Sequence, residues 1–391
     1  MVPSPRYNAV QPVVIIGAGL SGLALAHELK TLGVRSMLLE QERNVAEPWR
    51  RRYSKLQLNT HRHYSHLPDR PLPRGTRAFA KRDTVIRYLE DYAGCFGDRI
   101  RYGEQVQRLD PADGVWRIRT GTGEWRTRHV VIATGRERMP RLPQWPGAEG
   151  FTGELIHAAD FTDAERYRGR RVLVVGAGNS GVDILNQLVR VPTRDLRVSV
   201  RHGPLILPIR FIGMPVQRMS GLMSRLPSGW IDATLRMTEW LAFGNLRRQG
   251  LPRDSRPATR RLAQEGVAPA FDDGFVKALK QRRVLVEPIV RGFDGAEIIL
   301  LDGRRIQMDA VICATGYRPG LEAMLGHLDV LSENGIPLSH AATALPGFPG
   351  LWFLGMRPRL EGNFYAACVD SQQLAARIGR ELQAENPFTE P

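Results

Sequence analysis

At 391 residues the chain exceeds what one ordinary hydrophobic core organises, so two domains of unequal size are expected. An apolar fraction of 42% and a charged fraction of 24% exclude disordered, fibrous and membrane-spanning classes. The formal charge of +15 rests mostly on arginines scattered in pairs and triplets (Arg50 to Arg52, Arg170-Arg171, Arg260-Arg261, Arg304-Arg305), with no zinc-finger spacing or RNA-binding motif; it reads as a solvated basic surface that attracts phosphorylated cofactors, with nucleic-acid binding as the minority reading.

The N-terminal MVPSPRYNAVQP has no signal-peptide core and no apolar run reaches membrane-spanning length, so a cytoplasmic protein is expected. The run Val13 to Ile16 predicts a buried parallel strand. A helix with Leu25, Leu29 and Leu32 at helical spacing follows, Gly33 stops it, and Val34 to Leu39 predicts a second strand ending at Glu40. Alternation over Gly114 to Arg119 predicts an antiparallel hairpin layer. His129 to Gly135 predicts a strand running into an Ala-Thr-Gly turn. The first βαβ pattern then recurs: a strand at Val172 to Val175, a glycine-rich turn, a helix carrying Ile184, Leu185 and Leu188, and a strand from Leu196 ending near Arg201. Leu205 to Gly244 mixes aliphatics, Met and Trp with Pro and Arg. That stretch is expected to form a lid, with an amphipath lying on a membrane surface as the alternative. Ala310 to Gly316 repeats the strand and Ala-Thr-Gly turn, and Ala366 to Leu382 predicts a helix.

The expected class is therefore α/β, with two Rossmann-like dinucleotide-binding domains, the second inserted in the first, and small antiparallel layers. The expected segments are 1–164 for the first part of one dinucleotide-binding domain, 165–304 for a second, inserted one carrying the 205–244 lid, and 305–391 for the return of the first. The two Ala-Thr-Gly segments mark the junctions.

In Gly17-Ala18-Gly19-Leu20-Ser21-Gly22 the first glycine permits the tight turn, the second lets backbone approach a pyrophosphate and the third lets helix and strand pack; the helix N-terminus faces the phosphates. Glu40, about 20 residues on, suits ribose hydroxyls. Gly176-Ala177-Gly178-Asn179-Ser180-Gly181 repeats the arrangement, but Arg201 replaces the acid. A cation there accommodates a 2′-phosphate and favours NADPH over NADH; a surface Arg in an Arg-rich chain is the competing reading. Thr134, Gly135, Thr315 and Gly316 of the two Ala-Thr-Gly turns complete the expected cofactor contacts.

Phe151, Gly153, His157 and Phe161 spell FxGxxxHxxxF just before the second fingerprint. With GAGLSG, GAGNSG and ATGYRP (Ala314 to Pro319), this resembles the class B flavin-dependent monooxygenases. Gly250-Leu251-Pro252-Arg253, Asp272-Asp273-Gly274 and the strand Gly350 to Gly355 look most like the YUCCA-type members, which decarboxylate 2-oxo acids oxidatively; Arg359 to Phe364 departs from that pattern. The resemblance implies an enzyme in which NADPH reduces FAD, O2 adds to give a flavin C4a-(hydro)peroxide, and a small organic substrate is oxygenated by N- or S-oxidation or oxidative decarboxylation. It also implies that Asn59, in Leu56 to Thr60, sits beside the reactive flavin edge as the catalytic amide, and that Trp49 packs near the flavin; an ordinary turn Asn and a core Trp are the alternatives. A Baeyer-Villiger enzyme acting on a ketone and an uncoupled NADPH oxidase or flavoprotein reductase remain open readings. A disulfide reductase does not fit three dispersed cysteines, Cys95, Cys313 and Cys368. His61, His63 and His66 read as non-ligands, so no metal is expected. A homo-oligomer and a peripheral membrane contact stay open.

Overall fold

The computed structural model describes residues 9–385; the leader reading above falls largely on residues outside that range. The chain divides into two compact units. The first takes the chain up to Arg50, then Arg62–Met139, and then everything from Tyr317 on; the second takes Arg51–His61 and Pro140–Gly316.

In the first unit, β1 (Gln11–Ile16), α1 (Leu20–Thr31) and β2 (Ser36–Glu40) form the expected βαβ unit. Val13, Val14 and Ile15 are fully buried, as a continuous apolar strand in a parallel sheet must be. Helix α2 (Arg82–Ala93) leads to β3 (Ile100–Tyr102), β4 (Val106–Ala112), β5 (Val115–Thr120) and β6 (Glu124–Ile132). The sheet order is β3-β2-β1-β6-β5-β4. Strand β6 serves two layers. Its first half, Glu124 to Thr127, pairs antiparallel with β5, the expected hairpin layer, and its second half, Thr127 to Ile132, pairs parallel with β1.

In the second unit, β7 (Glu154–His157), β8 (Arg171–Val175), α3 (Asn179–Leu188) and β9 (Asp195–Ser199) are followed by the long helix α4 (Ser228–Phe243) and by β10 (Leu285–Glu287) and β11 (Ala310–Cys313). These strands form one parallel sheet ordered β10-β9-β8-β11-β7. An antiparallel meander, Val290–Asp294, Glu297–Leu300 and Arg305–Gln307, precedes β11. The chain then returns to the first unit, where β12 (Leu351–Phe353) adds parallel to β6 and α5 (Asn363–Glu385) packs on α1.

The two units repeat one plan: β3-β2-β1-β6 in the first matches β10-β9-β8-β11 in the second. The dividing points are Met139/Pro140 and Gly316/Tyr317, not 164/165 and 304/305. The reason is strand pairing. Strand β11 hydrogen-bonds to both β8 and β7, so the FxGxxxHxxxF segment and the second Ala-Thr-Gly turn belong to the second unit, and the return begins only at Tyr317. No helix among the described residues is long and apolar enough to cross a membrane.

Candidate active site

The first fingerprint divides labour among its glycines in a way the structure makes measurable. Gly17 has φ +103, and a Cβ there would stand 2.8 Å from the Ala133 carbonyl oxygen. A Cβ on Gly22 would stand 2.0 Å from the Gly17 oxygen, whereas one on Gly19 meets nothing within 4 Å. Two glycines thus serve packing and the middle one faces open space, the cradle a pyrophosphate requires. Helix α1 starts at a Gly19 N-cap with no side-chain cap bond and no acid in its first turn, so its N-terminal N–H groups and positive dipole end remain available to an anion.

Around this turn, Glu40 Oε2 accepts from Ala18 N at 2.7 Å and Oε1 from Glu42 N at 3.0 Å. Burial pushes its carboxyl above the ordinary value, against the pull of these N–H donors. Thr134 Oγ1 is buried without a hydrogen-bond partner, and Gly135 has φ +79 with open space at its Cβ position. A buried hydroxyl left unsatisfied beside an open cradle fits a bound polar ligand. Gly355, after β12, has φ +73, and a Cβ there would lie 2.3 Å from Ser21 Oγ. This glycine was not singled out as a site residue; the stretch Gly350 to Gly355 that it closes carried the only signal. Trp49 is half-buried, its ring 6.4 Å from Phe364. These features fit FAD.

The second fingerprint is a near replica. A Cβ on Gly176 (φ +101) would lie 2.5 Å from the Ala314 oxygen, one on Gly181 2.0 Å from the Gly176 oxygen, and one on Gly178 meets nothing within 4 Å. A cleft beside Gly178 is lined by Ala177, His202, Pro204, Leu205, Arg261 and Val267. Arg201 is exposed, and among the described residues it has no hydrogen bond or ion pair. Most other arginines of this fold are engaged; Arg197, for example, spans Asp195 and Glu287. Arg261, expected from the sequence on the solvated basic surface, is instead almost buried at 11% side-chain exposure and donates to the Gly203 oxygen at 2.9 Å. A Cβ on Gly203 would lie 2.0 Å from the Pro252 oxygen, so the Gly-Leu-Pro-Arg segment braces the chain just after Arg201. These residues fit a phosphorylated nicotinamide coenzyme.

The FxGxxxHxxxF residues turn out to brace this same unit. His157 accepts from Ala159 N through Nδ1 at 3.0 Å and donates through Nε2 to the Gly316 oxygen at 3.0 Å, fixing the tautomer and tying the motif to the Ala-Thr-Gly turn. Burial pulls its pKa below the ordinary histidine value, in the same direction as the acceptor role of Nδ1, which only an unprotonated nitrogen can fill. Thr315 Oγ1 donates to the Arg141 oxygen at 2.5 Å, spending the hydroxyl expected to touch cofactor. Phe161 is fully buried, stacked on Tyr167 and edge-on to Tyr53.

The short segment 51–61 is an eleven-residue strap that joins two stretches of the first unit yet packs within the second. Its Tyr53 hydroxyl donates to Asp183 on α3, Lys55 lies 3.6 Å from Asp163, and His61 N donates to Gln217 Oε1 at 2.7 Å. Asn59 Nδ2 donates to Asn179 Oδ1 at 3.1 Å, which ties the candidate catalytic amide to the second fingerprint itself. Asp183 is pushed up to about 7 by burial, with Arg190 opposing and Asp273 adding to the rise. Its signal in the sequence is a lone acid among Val182, Ile184 and Leu185 on a buried helix face. Among the described residues no cluster of three or more His, Cys, Asp or Glu could hold a metal.

The family model described as pyridine nucleotide-disulphide oxidoreductase matches residues 14–204. The chain is 33% identical over 382 residues to the probable indole-3-pyruvate monooxygenase YUCCA9 of Arabidopsis thaliana, covering 95% of this chain and 90% of that protein. It is 32% identical over 360 residues to indole-3-pyruvate monooxygenase YUCCA1 of Oryza sativa, covering 90% and 88%. In fold it resembles a flavin monooxygenase from Stenotrophomonas maltophilia, with TM-score 0.71, 22% identity, and 95% and 98% of the two chains covered. The glycine-built cradles of both units and the relatives that span nearly the whole sequence agree, and the chain belongs to the class B flavin-dependent monooxygenases, as an FAD- and NADPH-dependent enzyme that oxygenates a small substrate with O2.

Proposed function

We propose that this enzyme oxidises a small 2-oxo acid with loss of CO2, consuming one NADPH and one O2 and leaving the acid shortened by one carbon, with water as the other product. The observation that carries this reading is the similarity to proteins named indole-3-pyruvate monooxygenases, which runs through both units. N- or S-oxidation of another small substrate is the second reading, supported by the Phe at position 161 that closes the FxGxxxHxxxF motif. Bound FAD supplies hydride acceptance and oxygen activation. The chain's own residues do the rest. Gly17, Gly19, Ser21 and Gly22 with the N-terminus of α1 hold one pyrophosphate, and Glu40 holds the ribose next to it. Trp49, Thr134 and Gly135 flank the flavin. Gly176, Gly178, Asn179, Ser180 and Gly181 hold the nicotinamide coenzyme, Gly316 shapes the adjoining turn, and Arg201 takes the 2′-phosphate. Asn59 offers a preorganised amide at the coenzyme turn. The enzyme works in a reducing cytoplasm, where its three free cysteines stay unpaired.

The test is aerobic NADPH consumption by the FAD-loaded enzyme across 2-oxo acids, amines, sulfides and ketones, with products identified by mass spectrometry. Release of one CO2 per NADPH from a 2-oxo acid is expected; turnover of ketones to esters alone would replace this reading with the Baeyer-Villiger one. The Arg201 assignment has its own check. In Arg201→Ala the ratio of kcat/KM for NADPH over NADH should fall by about 10- to 100-fold, the value of one charge-assisted phosphate contact. An unchanged ratio would move the 2′-phosphate contact elsewhere, with Arg261 the next residue to test.

A further inference from the structure

Exposed apolar side chains are not spread evenly over this protein. Eighteen large hydrophobic residues are exposed among those described, and nine of them fall between Ile212 and Leu241. Scattered single exposures are ordinary, but such a concentration marks a contact surface. Helix α4 shows how it is built. Ile231 and Leu235 turn inward at 7% and 5% exposure. Trp230, Met237, Trp240 and Leu241, at 69%, 57%, 64% and 54% exposure, recur at i, i+7, i+10 and i+11 and so share the outward face. The helix is apolar on both sides, although only one side is covered.

The turn ahead of α4 carries an independent sign. Arg210–Phe211 and Met214–Pro215 form a tight hairpin whose two tip residues, Ile212 and Gly213, both have positive φ, +49 and +76. Asn-Gly or Gly-Gly suits such a turn; a β-branched residue there is strained. Ile212 is nevertheless 86% exposed, so its strain gains the fold no burial, and the side chain is aimed outward.

The charge around this face selects the partner. Between Leu205 and Arg253 the sequence holds seven arginines and no lysine against two acids. Both acids are spent internally: Asp232 accepts from Thr259 N and Oγ1, and Glu239 accepts from Ile206 N. A second copy would bring the same positive rim against itself, which disfavours self-pairing. An anionic bilayer surface complements both the rim and the Trp and Met side chains, since indoles settle at headgroup depth and arginines reach phosphates.

We propose that the outward face of α4, with the Ile212 hairpin, docks this enzyme peripherally on anionic lipid membranes. The helix lies in the interface plane without crossing it. Attachment and release do not require the active site, so this proposal stands apart from the choice of substrate.

The experiment is flotation of the full-length FAD-loaded protein with vesicles of phosphatidylcholine alone or of phosphatidylcholine and phosphatidylglycerol in equal parts. The protein should float with the anionic vesicles and much less with the neutral ones, and high salt should release it. Trp230→Glu combined with Trp240→Glu should cut the bound fraction by about tenfold or more, because it puts charge where the face must enter the headgroup region. Leu301→Glu, another exposed apolar position at 61% exposure, should float like the native protein. FAD absorbance of each variant reports that the fold is kept. Three results would overturn the proposal: no flotation of native protein with anionic vesicles, equal flotation of the double variant, or a dimer in solution that the double variant dissociates, which would assign the face to a second copy.

Discussion

Replacing Gly19 by valine is expected to yield a folded but colourless protein, whereas the same change at Gly22 should damage the fold before any flavin is added. The fingerprint assigns the middle glycine to the pyrophosphate and the third to helix–strand packing; the structure puts distances on those duties. Gly19 sits in ordinary extended backbone with φ −81 at the N-cap of α1, and nothing lies within 4 Å of its Cβ position. A Cβ there meets no protein atom within 4 Å, so apo stability should change by no more than about 0.5 kcal/mol. The volume it fills is the one the pyrophosphate needs, so FAD affinity should fall by about 100-fold or more. At Gly22 a Cβ would lie 2.0 Å from the Gly17 oxygen. That contact is impossible without moving β1 or α1, and the stability cost should reach about 1–3 kcal/mol or more. Thermal melts of the two apo proteins, read beside FAD titrations, check the separation. If both variants melt early, the open space at Gly19 is not free for a side chain. If Gly19→Val binds FAD like the native protein, the cradle has been placed wrongly.

The second large effect concerns Asn59, and it asks where the reducing equivalents go. Its amide reaches Asn179 Oδ1 at 3.1 Å, so it stands at the coenzyme turn and is held there by a strap anchored through Tyr53 and Asp183. Hydride delivery depends mainly on the two fingerprints, while productive oxygen transfer also depends on a preorganised polar contact and on keeping water out. In Asn59→Leu, similar in volume and lacking the amide, NADPH consumption should persist, oxygenated product should fall by about 100-fold, and hydrogen peroxide should rise toward the NADPH consumed. Asn179→Leu removes the other half of the hydrogen bond and should uncouple in the same direction if orientation is what matters. Measuring peroxide and product per NADPH decides it: an Asn59→Leu enzyme with native coupling would reduce Asn59 to a turn residue.

What the sequence determined by itself are the features written in short, contiguous stretches. Each βαβ unit needs only a β-branched run, three spaced glycines and an amphipathic helix, so both dinucleotide folds and their Gly17-to-Gly22 and Gly176-to-Gly181 cradles were legible at once. Membership of the monooxygenase family was legible for the same reason, through motifs of fixed local spacing. Tertiary structure alone decided which strand lies beside which. Val172 to Val174 and Ala310 to Cys313 are buried on both faces, so neither carries the alternation that would name a neighbour. The pairing of β11 with both β8 and β7 moved the unit boundary to 139/140 and 316/317. The same holds for the strap, since Tyr53 meets an acid 130 residues away. It holds as well for Gly355, whose missing side chain leaves room for Ser21. Contacts of that kind arise from burial and packing between distant segments, and no local pattern of residue types encodes them.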